Sequence, residues 1–281
     1  DLAATIDYFN GLFTSGATGP AKGVVYTHGQ LAAVRDVLAE TYGIGPGNGL
    51  VAGFAPFALL GPALGARSVT PDMDVPSPGT LTARATAGAV DAVGAATMFL
   101  SPAAIAGVVA TADALTPAER DSLGQVGLFL SAGAPVPLDL LEQAEALMPN
   151  AAAHTPYGMT EGLLLTDVDA DEIRATQDAP DSGVCVGRPV APVTLRVSPL
   201  DEDGRATGDL IERAGVTGEI VVAAPHVKDR YDKLWLTERA SRRTTGETAP
   251  DGLRWHRTGD VGHLDGSGRV WIEGRLAHVV V

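Results

Sequence analysis

Apolar positions fall at helical spacing in some stretches of this chain and in short unbroken runs in others. Leu31, Val34, Leu38 and Tyr42 lie on one face of a helix. Thr27 with Gln30 three residues on forms a capping box that starts it, Gly43 closes it, and a strand over 23–26 leads in. The same reading predicts helices over 81–93, from Pro102, and over 138–147, with strands at 96–100 and 126–130 and an apolar segment at 151–153. Such alternation implies an α/β architecture with a largely parallel sheet flanked by helices. Ligands of such sheets sit at loops beyond the carboxyl ends of strands, and the loops 131–135 and 156–161 fit that position. From about Pro180 the texture shifts to short runs at 193–197, 218–222, 260–264 and 269–273, with Asp265-Gly266-Ser267-Gly268 as a hairpin turn. The expected division is an α/β segment, 1–178, followed by a β-rich, barrel-like segment, 179–281. Polar residues over 239–252 predict a mobile surface loop.

The chemistry concentrates in residues 14–23, Thr14-Ser15-Gly16-Ala17-Thr18-Gly19-Pro20-Ala21-Lys22-Gly23. Glycines let backbone N–H groups approach an anion, and Lys22 adds a mobile positive charge, so the loop suits phosphate. Gly23 stands where a Walker A motif has Ser or Thr, and a plain flexible turn is the bland alternative. The glycines at 43, 45, 47 and 49 follow a helix instead of leading into one, which fits a connection better than a dinucleotide fingerprint. Asp167, Asp169 and Asp171 have the alternating spacing of a calcium loop, but Glu172 replaces its glycine and a solvated acidic face is expected.

Composition narrows the classes. A net charge of −14 without a Lys/Arg cluster argues against a nucleic-acid groove or an anionic membrane surface. Residues 92–112 carry no charge, yet Ser101-Pro102 splits them into a strand and a helix, so no transmembrane segment is expected. A single cysteine, Cys185, fits a reducing, cytoplasmic compartment. No Gly-x-Ser-x-Gly or His-Glu-x-x-His pattern occurs, which removes the common hydrolase readings.

TSGATGPAKG (14–23), YGMTE (157–161), RTGD (257–260) and Gly274-Arg275, in that order, resemble the adenylate-forming superfamily of acyl-CoA synthetases, luciferases and adenylation domains. The resemblance implies the large N-terminal domain of that fold, in part, with ATP and Mg²⁺ as cofactors. It implies that Thr14, Ser15, Gly16, Thr18, Gly19 and Lys22 bind the ATP phosphates. Tyr157 and Gly158 would meet the adenine, with Gly133, Ala134 and Pro135 as the opposite wall. Thr160 would bind the α-phosphate, Glu161 would hold the metal, and Asp260 and Arg275 would take the ribose; Thr160, Glu161 and Lys22 are the expected catalytic residues. Singly, Tyr157-Gly158 also reads as a strand-ending turn, Glu161 as a carboxylate in a helix first turn, and Asp260 as a turn cap.

VVYTHGQ (24–30), FAPFALLGPALG (54–65), SVTPDMD (68–74) and HVKDRYDKLWLTERASR (226–242) are similar to the bacterial β-lactone synthetases of olefin biosynthesis. This implies a fatty or β-hydroxy fatty acid substrate, an acyl pocket that includes Phe57 and Met159, and other olefin-biosynthesis enzymes as partners. A long-chain fatty-acyl-CoA ligase and a non-catalytic nucleotide-binding fragment are the alternatives. The chain begins at Asp1, and the resemblance implies further large domain before it and a small domain with a catalytic lysine after a hinge near Arg275. By itself the chain is then expected to be weakly active or inactive. Asp7-Tyr8-Phe9-Asn10-Gly11 departs from the apolar strand that the family runs into its phosphate loop.

Overall fold

In the computed structural model, which describes residues 8–13, 22–179, 181–244 and 246–280, β1 (Tyr8–Phe13) pairs antiparallel with β2 (Gly23–Thr27), with a register shift between Asn10 and Leu12. Residues 8–13 are therefore a strand despite their departure from the apolar pattern, because β2 supplies the backbone partners. The expected capping box forms: Thr27 N–H donates to Gln30 Oε1 at 2.8 Å and Gln30 N–H to Thr27 Oγ1 at 3.1 Å, opening α1 (His28–Tyr42). The glycines that follow connect this helix to a strand, as expected.

Two compact units make up the chain: residues 38–156 with 168–178, and residues 1–37, 157–167 and 179–281. The first holds a five-stranded parallel sheet, β3 (Gly49–Ala52), β4 (Arg67–Val69), β5 (Thr97–Leu100), β6 (Leu128–Ser131) and β7 (Ala152–His154), in the order β4-β3-β5-β6-β7. Its helices are α2 (Ala55–Ala63), α3 (Ala83–Val93), α4 (Pro102–Ala110), α5 (Pro117–Leu123), α6 (Leu138–Leu147) and α7 (Ala170–Thr176). Side-chain caps start several of them: Thr82 for α3, Ser101 for α4, Thr116 with Glu119 for α5, and Asp169 for α7. Asp169 of the acidic run is thus a helix cap. Val51, Met98, Leu100 and Phe129 from the strands bury against Val90, Ile105, Leu123 and Leu141 from the helices. The uncharged 92–112 run divides into the end of α3, β5 and α4, and among the described residues no helix is long and apolar enough to cross a membrane.

The second unit is antiparallel. Beyond β1 and β2 it contains β8 (Tyr157–Met159), β9 (Gly162–Asp167), β10 (Val184–Cys185), β11 (Arg188–Pro189), β12 (Thr194–Pro199), β13 (Gly218–Ala223) and β14 (Arg230–Tyr231). After α8 (Trp235–Ala240) come β15 (Arg242–Arg243), β16 (Trp255–Leu264) and β17 (Val270–Arg275). These form three sheets, β1-β2-β14, β11-β9-β8, and β10-β17-β16-β13-β12 with β15 on β16. Leu165, Val197, Ile220, Val222 and Val270 centre its apolar core. The unit boundaries fall after Val37, Pro156, Asp167 and Asp178.

Within 239–252, which polarity predicts to be a mobile surface loop, Arg242 and Arg243 instead form β15. Arg242 and Arg243 pair with His256 and Trp255, and the Arg243 guanidinium donates to Ala206 O at 3.0 Å and Gly208 O at 2.7 Å. Trp255 Nε1 donates to Glu247 O at 2.8 Å. A planar fork of donors lets arginine serve as structural filling where composition reads as surface.

Candidate active site

The YGMTE motif folds as a hairpin. Tyr157 pairs with Thr166 and Met159 with Gly162, leaving Thr160 and Glu161 as the two-residue turn. The motif is thus a strand and a turn, not a loop beyond a strand, and Glu161 does not sit in a helix first turn. A Cβ on Gly158 would come within 3.0 Å of Gly162 O, so any larger residue would press on that carbonyl.

Four contacts pin that turn. Tyr26, wholly buried on β2, donates its hydroxyl to Thr160 O at 2.6 Å. Lys228 N–H donates to Glu161 O at 2.7 Å, and Tyr231 OH donates to Glu161 Oε1 at 2.6 Å. Lys22 Nζ stands 3.8 Å from the same oxygen. Glu161 is only 6% exposed, and a carboxylate this buried needs such partners. Its second oxygen, Oε2, has no hydrogen-bond partner among the described residues.

RTGD builds a second cluster in the same unit. Arg257 Nε and Gly259 N–H donate to the two oxygens of buried Glu219 at 2.7 and 3.2 Å. Thr258 Oγ1 donates to Ile220 O at 2.8 Å and accepts from Asp260 N–H at 3.0 Å. Gly259 takes a φ of +75°, which turns the strand between Thr258 and Asp260. Asp260 lies opposite Arg275 in the β16–β17 ladder. Its Oδ1 accepts from Arg275 Nη1 at 2.6 Å and its Oδ2 from Tyr157 OH at 2.5 Å. Burial, and then the Asp260 charge, push the Tyr157 phenol well above its ordinary range, so it remains a protonated donor.

Lys22, Tyr157, Gly158, Thr160, Glu161, Asp260 and Arg275 therefore share one unit, whereas Thr14, Ser15, Gly16, Thr18 and Gly19 lie outside the described residues. Met159 packs against the apolar core of this unit. Gly133, Ala134 and Pro135 form an exposed turn after β6 in the parallel-sheet unit. There Phe57 stacks on Phe99, ring centres 4.2 Å apart and planes at 3°.

Sequence reasoning misses Tyr26, Tyr231, Lys228, Glu238 and Glu219. Lys228 is 1% exposed; its Nζ donates to Glu238 Oε2 at 2.5 Å and lies 4.0 Å from the centre of the Tyr231 ring. Nothing in HVKDRYDK marks which of its charges is buried. Among the described residues no group of three or more His, Cys, Asp or Glu could hold a metal. A carboxylate with one oxygen that no described residue bonds, beside a lysine, instead fits Mg²⁺ held jointly by protein and phosphate oxygens.

The family model for AMP-binding enzymes matches residues 7–231, which takes in both the 14–23 stretch and the hairpin. The chain belongs to the AMP-binding enzyme family. Among curated relatives, an olefin beta-lactone synthetase from Xanthomonas campestris pv. campestris is 39% identical over 96% of this chain and 48% of its own length. One from Stenotrophomonas maltophilia is 37% identical over 94% of this chain and 47% of its own. This member of the AMP-binding family thus spans about half the length of those relatives. Its fold matches the O-succinylbenzoate coenzyme A synthetase MenE from Bacillus subtilis, a structure in complex with AMP, with a TM-score of 0.70 at 20% identity, over 96% of this chain and 50% of that one.

Proposed function

We propose that the protein containing this chain adenylates a fatty or β-hydroxy fatty acid and then closes the activated β-hydroxy acid to a β-lactone. The observation that carries the adenylation half is the buried Glu161, held through one oxygen by Tyr231 and with no described partner on the other, beside Lys22. A carboxylate oxygen of the substrate attacks the α-phosphorus of ATP, the bond to the β-phosphate breaks, and pyrophosphate leaves. Lys22 and the 14–23 loop stabilise the charge that develops on the leaving group, and catalysis comes from positioning and electrostatics without a protein nucleophile. Glu161 Oε2, together with phosphate oxygens, would hold Mg²⁺, which neutralises that charge further. Thr160 is the proposed partner of the α-phosphate.

Asp260, with Arg275 and Tyr157 on its two oxygens, is the proposed ribose acceptor; hydroxyls of the sugar would take over or share the contacts those side chains make. Tyr157 and Gly158 are proposed to meet the adenine, and Met159 the acyl chain. In the second step the substrate's own β-hydroxyl oxygen attacks the activated carbonyl carbon, the carbonyl–phosphate bond breaks, AMP departs, and the hydroxyl proton passes to solvent. The similarity to two olefin beta-lactone synthetases supports this step.

The test is to incubate the full-length protein with ATP, Mg²⁺ and a β-hydroxy fatty acid, without coenzyme A, and to analyse the products by mass spectrometry. A β-lactone with AMP and pyrophosphate is expected. Acyl-adenylate alone, converted to a thioester once coenzyme A is added, would replace the lactone reading with that of a ligase.

A further inference from the structure

Tyr231 sits at the centre of a buried line of alternating charges. Its hydroxyl donates to Glu161 Oε1 at 2.6 Å, and its backbone N–H donates to Glu238 Oε2 at 3.0 Å. Two ammonium groups lie within cation–π reach of its ring, Lys228 at 4.0 Å and Lys22 at 5.1 Å from the centroid. Lys228 is in turn tied to Glu238, whose other oxygen accepts from Arg242 Nε at 2.5 Å. The ring is therefore fixed by its own backbone, by a sealed lysine and by α8, and its one polar atom is spent on the carboxylate of the β8–β9 turn.

We propose that Tyr231 is a positioning residue that grips Oε1 of Glu161 so that Oε2 stays directed at the space where a divalent cation and phosphate oxygens meet; this rests on the reading of Glu161 as the metal-facing carboxylate. A free glutamate side chain on a two-residue turn has several rotamers. The tyrosine's hydrogen bond selects one of them. Tyr26 holds the other turn residue through its carbonyl, Thr160 O, so two tyrosines from neighbouring strands of the β1-β2-β14 sheet hold the two residues of the turn, one by its backbone and one by its carboxylate.

The test uses the full-length protein with Mn²⁺ in place of Mg²⁺. Mn²⁺ binding to the ATP complex is followed by electron paramagnetic resonance, and AMP binding without divalent ion by calorimetry. Loss of a hydrogen bond to a charged group predicts that Tyr231→Phe weakens Mn²⁺ binding roughly ten- to a hundredfold while AMP affinity stays within about twofold. Glu161→Gln is expected to weaken Mn²⁺ at least as much. Wild-type Mn²⁺ affinity in Tyr231→Phe, with Glu161→Gln impaired, overturns the positioning role and leaves the reading of Glu161 standing. Wild-type affinity in Glu161→Gln overturns that reading itself. An equal weakening of AMP in Tyr231→Phe marks a merely structural tyrosine and also overturns the proposal. Should Tyr231→Phe not accumulate as folded protein, Glu238→Gln, which loosens the ring and leaves its hydroxyl, is expected to weaken Mn²⁺ about threefold or more; unchanged affinity there counts against the inference.

Discussion

His256, on the strand that carries Asp260, is 2% exposed, and its Nδ1 has no hydrogen-bond partner among the described residues. Burial first, and then the nearby charges of Lys228, Arg242 and Lys22, lower its pKa from 6.5 to about 3. The unfolded chain takes up this proton near the ordinary value, whereas the folded chain refuses it until about pH 3. Stability is thus fully present above the unfolded pKa and is lost as pH falls through the interval between the two, by up to about 1.4 kcal/mol per pH unit. In urea unfolding, His256→Gln should flatten the decline of stability between about pH 7 and 5 relative to the parent; an identical slope in the two proteins would refute this. The other site residues differ in how far they were legible. Tyr157, Thr160, Glu161, Asp260 and Arg275 stand in short ordered motifs whose residue types match phosphate, metal and sugar chemistry. Tyr26, Tyr231, Lys228 and Glu219 act by being buried against those motifs from distant strands, and burial of a single polar residue leaves no period in the sequence.

At the scale of elements, local chemistry was readable wherever it is self-contained. The Thr27–Gln30 box, the Ser101-Pro102 start and the 138–147 helix appear as expected, because caps and one-faced periodicity need no distant partner. β3 and β4 are too short to show a pattern, and α2 carries Pro62 inside it, which hides a helix. α5 has both a capping box and Pro at its first turn, a signal sufficient to find it. Only the end of β16 is visible as a strand, because Arg257, Thr258 and Gly259 bind Glu219 and Ile220 instead of alternating with apolar neighbours. The β16–β17 turn carries its own test. Asp265 accepts from Ser267 N–H and Oγ, Arg269 N–H and Nε, and Trp271 Nε1. Burial disfavours its charge, but the bonds from Trp271, Arg269 and Ser267 outweigh that and hold the carboxyl well below the usual range. Its contribution is present above the unfolded carboxylate pKa and fades as pH falls below it. Asp265→Ala should cost about 3 kcal/mol in urea unfolding at neutral pH, since the buried Trp271 N–H loses its partner; a cost under about 0.5 kcal/mol would contradict the network.

For the whole molecule, the switch from helix–strand alternation to antiparallel runs was plain from the sequence. The assignment of residues 1–37 and 157–167 to the β-rich unit was not, since strand pairing across a long chain separation is invisible to local patterns. That assignment brings Lys22, the Glu161 turn and the Asp260–Arg275 pair into one unit, the arrangement on which the proposed adenylation rests. The most direct measurement is carboxylate-dependent exchange of labelled pyrophosphate into ATP by the full-length protein with Mg²⁺, parent against Glu161→Gln. Removing a group that acts on developing charge predicts a loss of roughly a hundredfold or more in exchange, with the thermal unfolding midpoint still marking a folded protein. Exchange by Glu161→Gln at the parental rate would contradict the account.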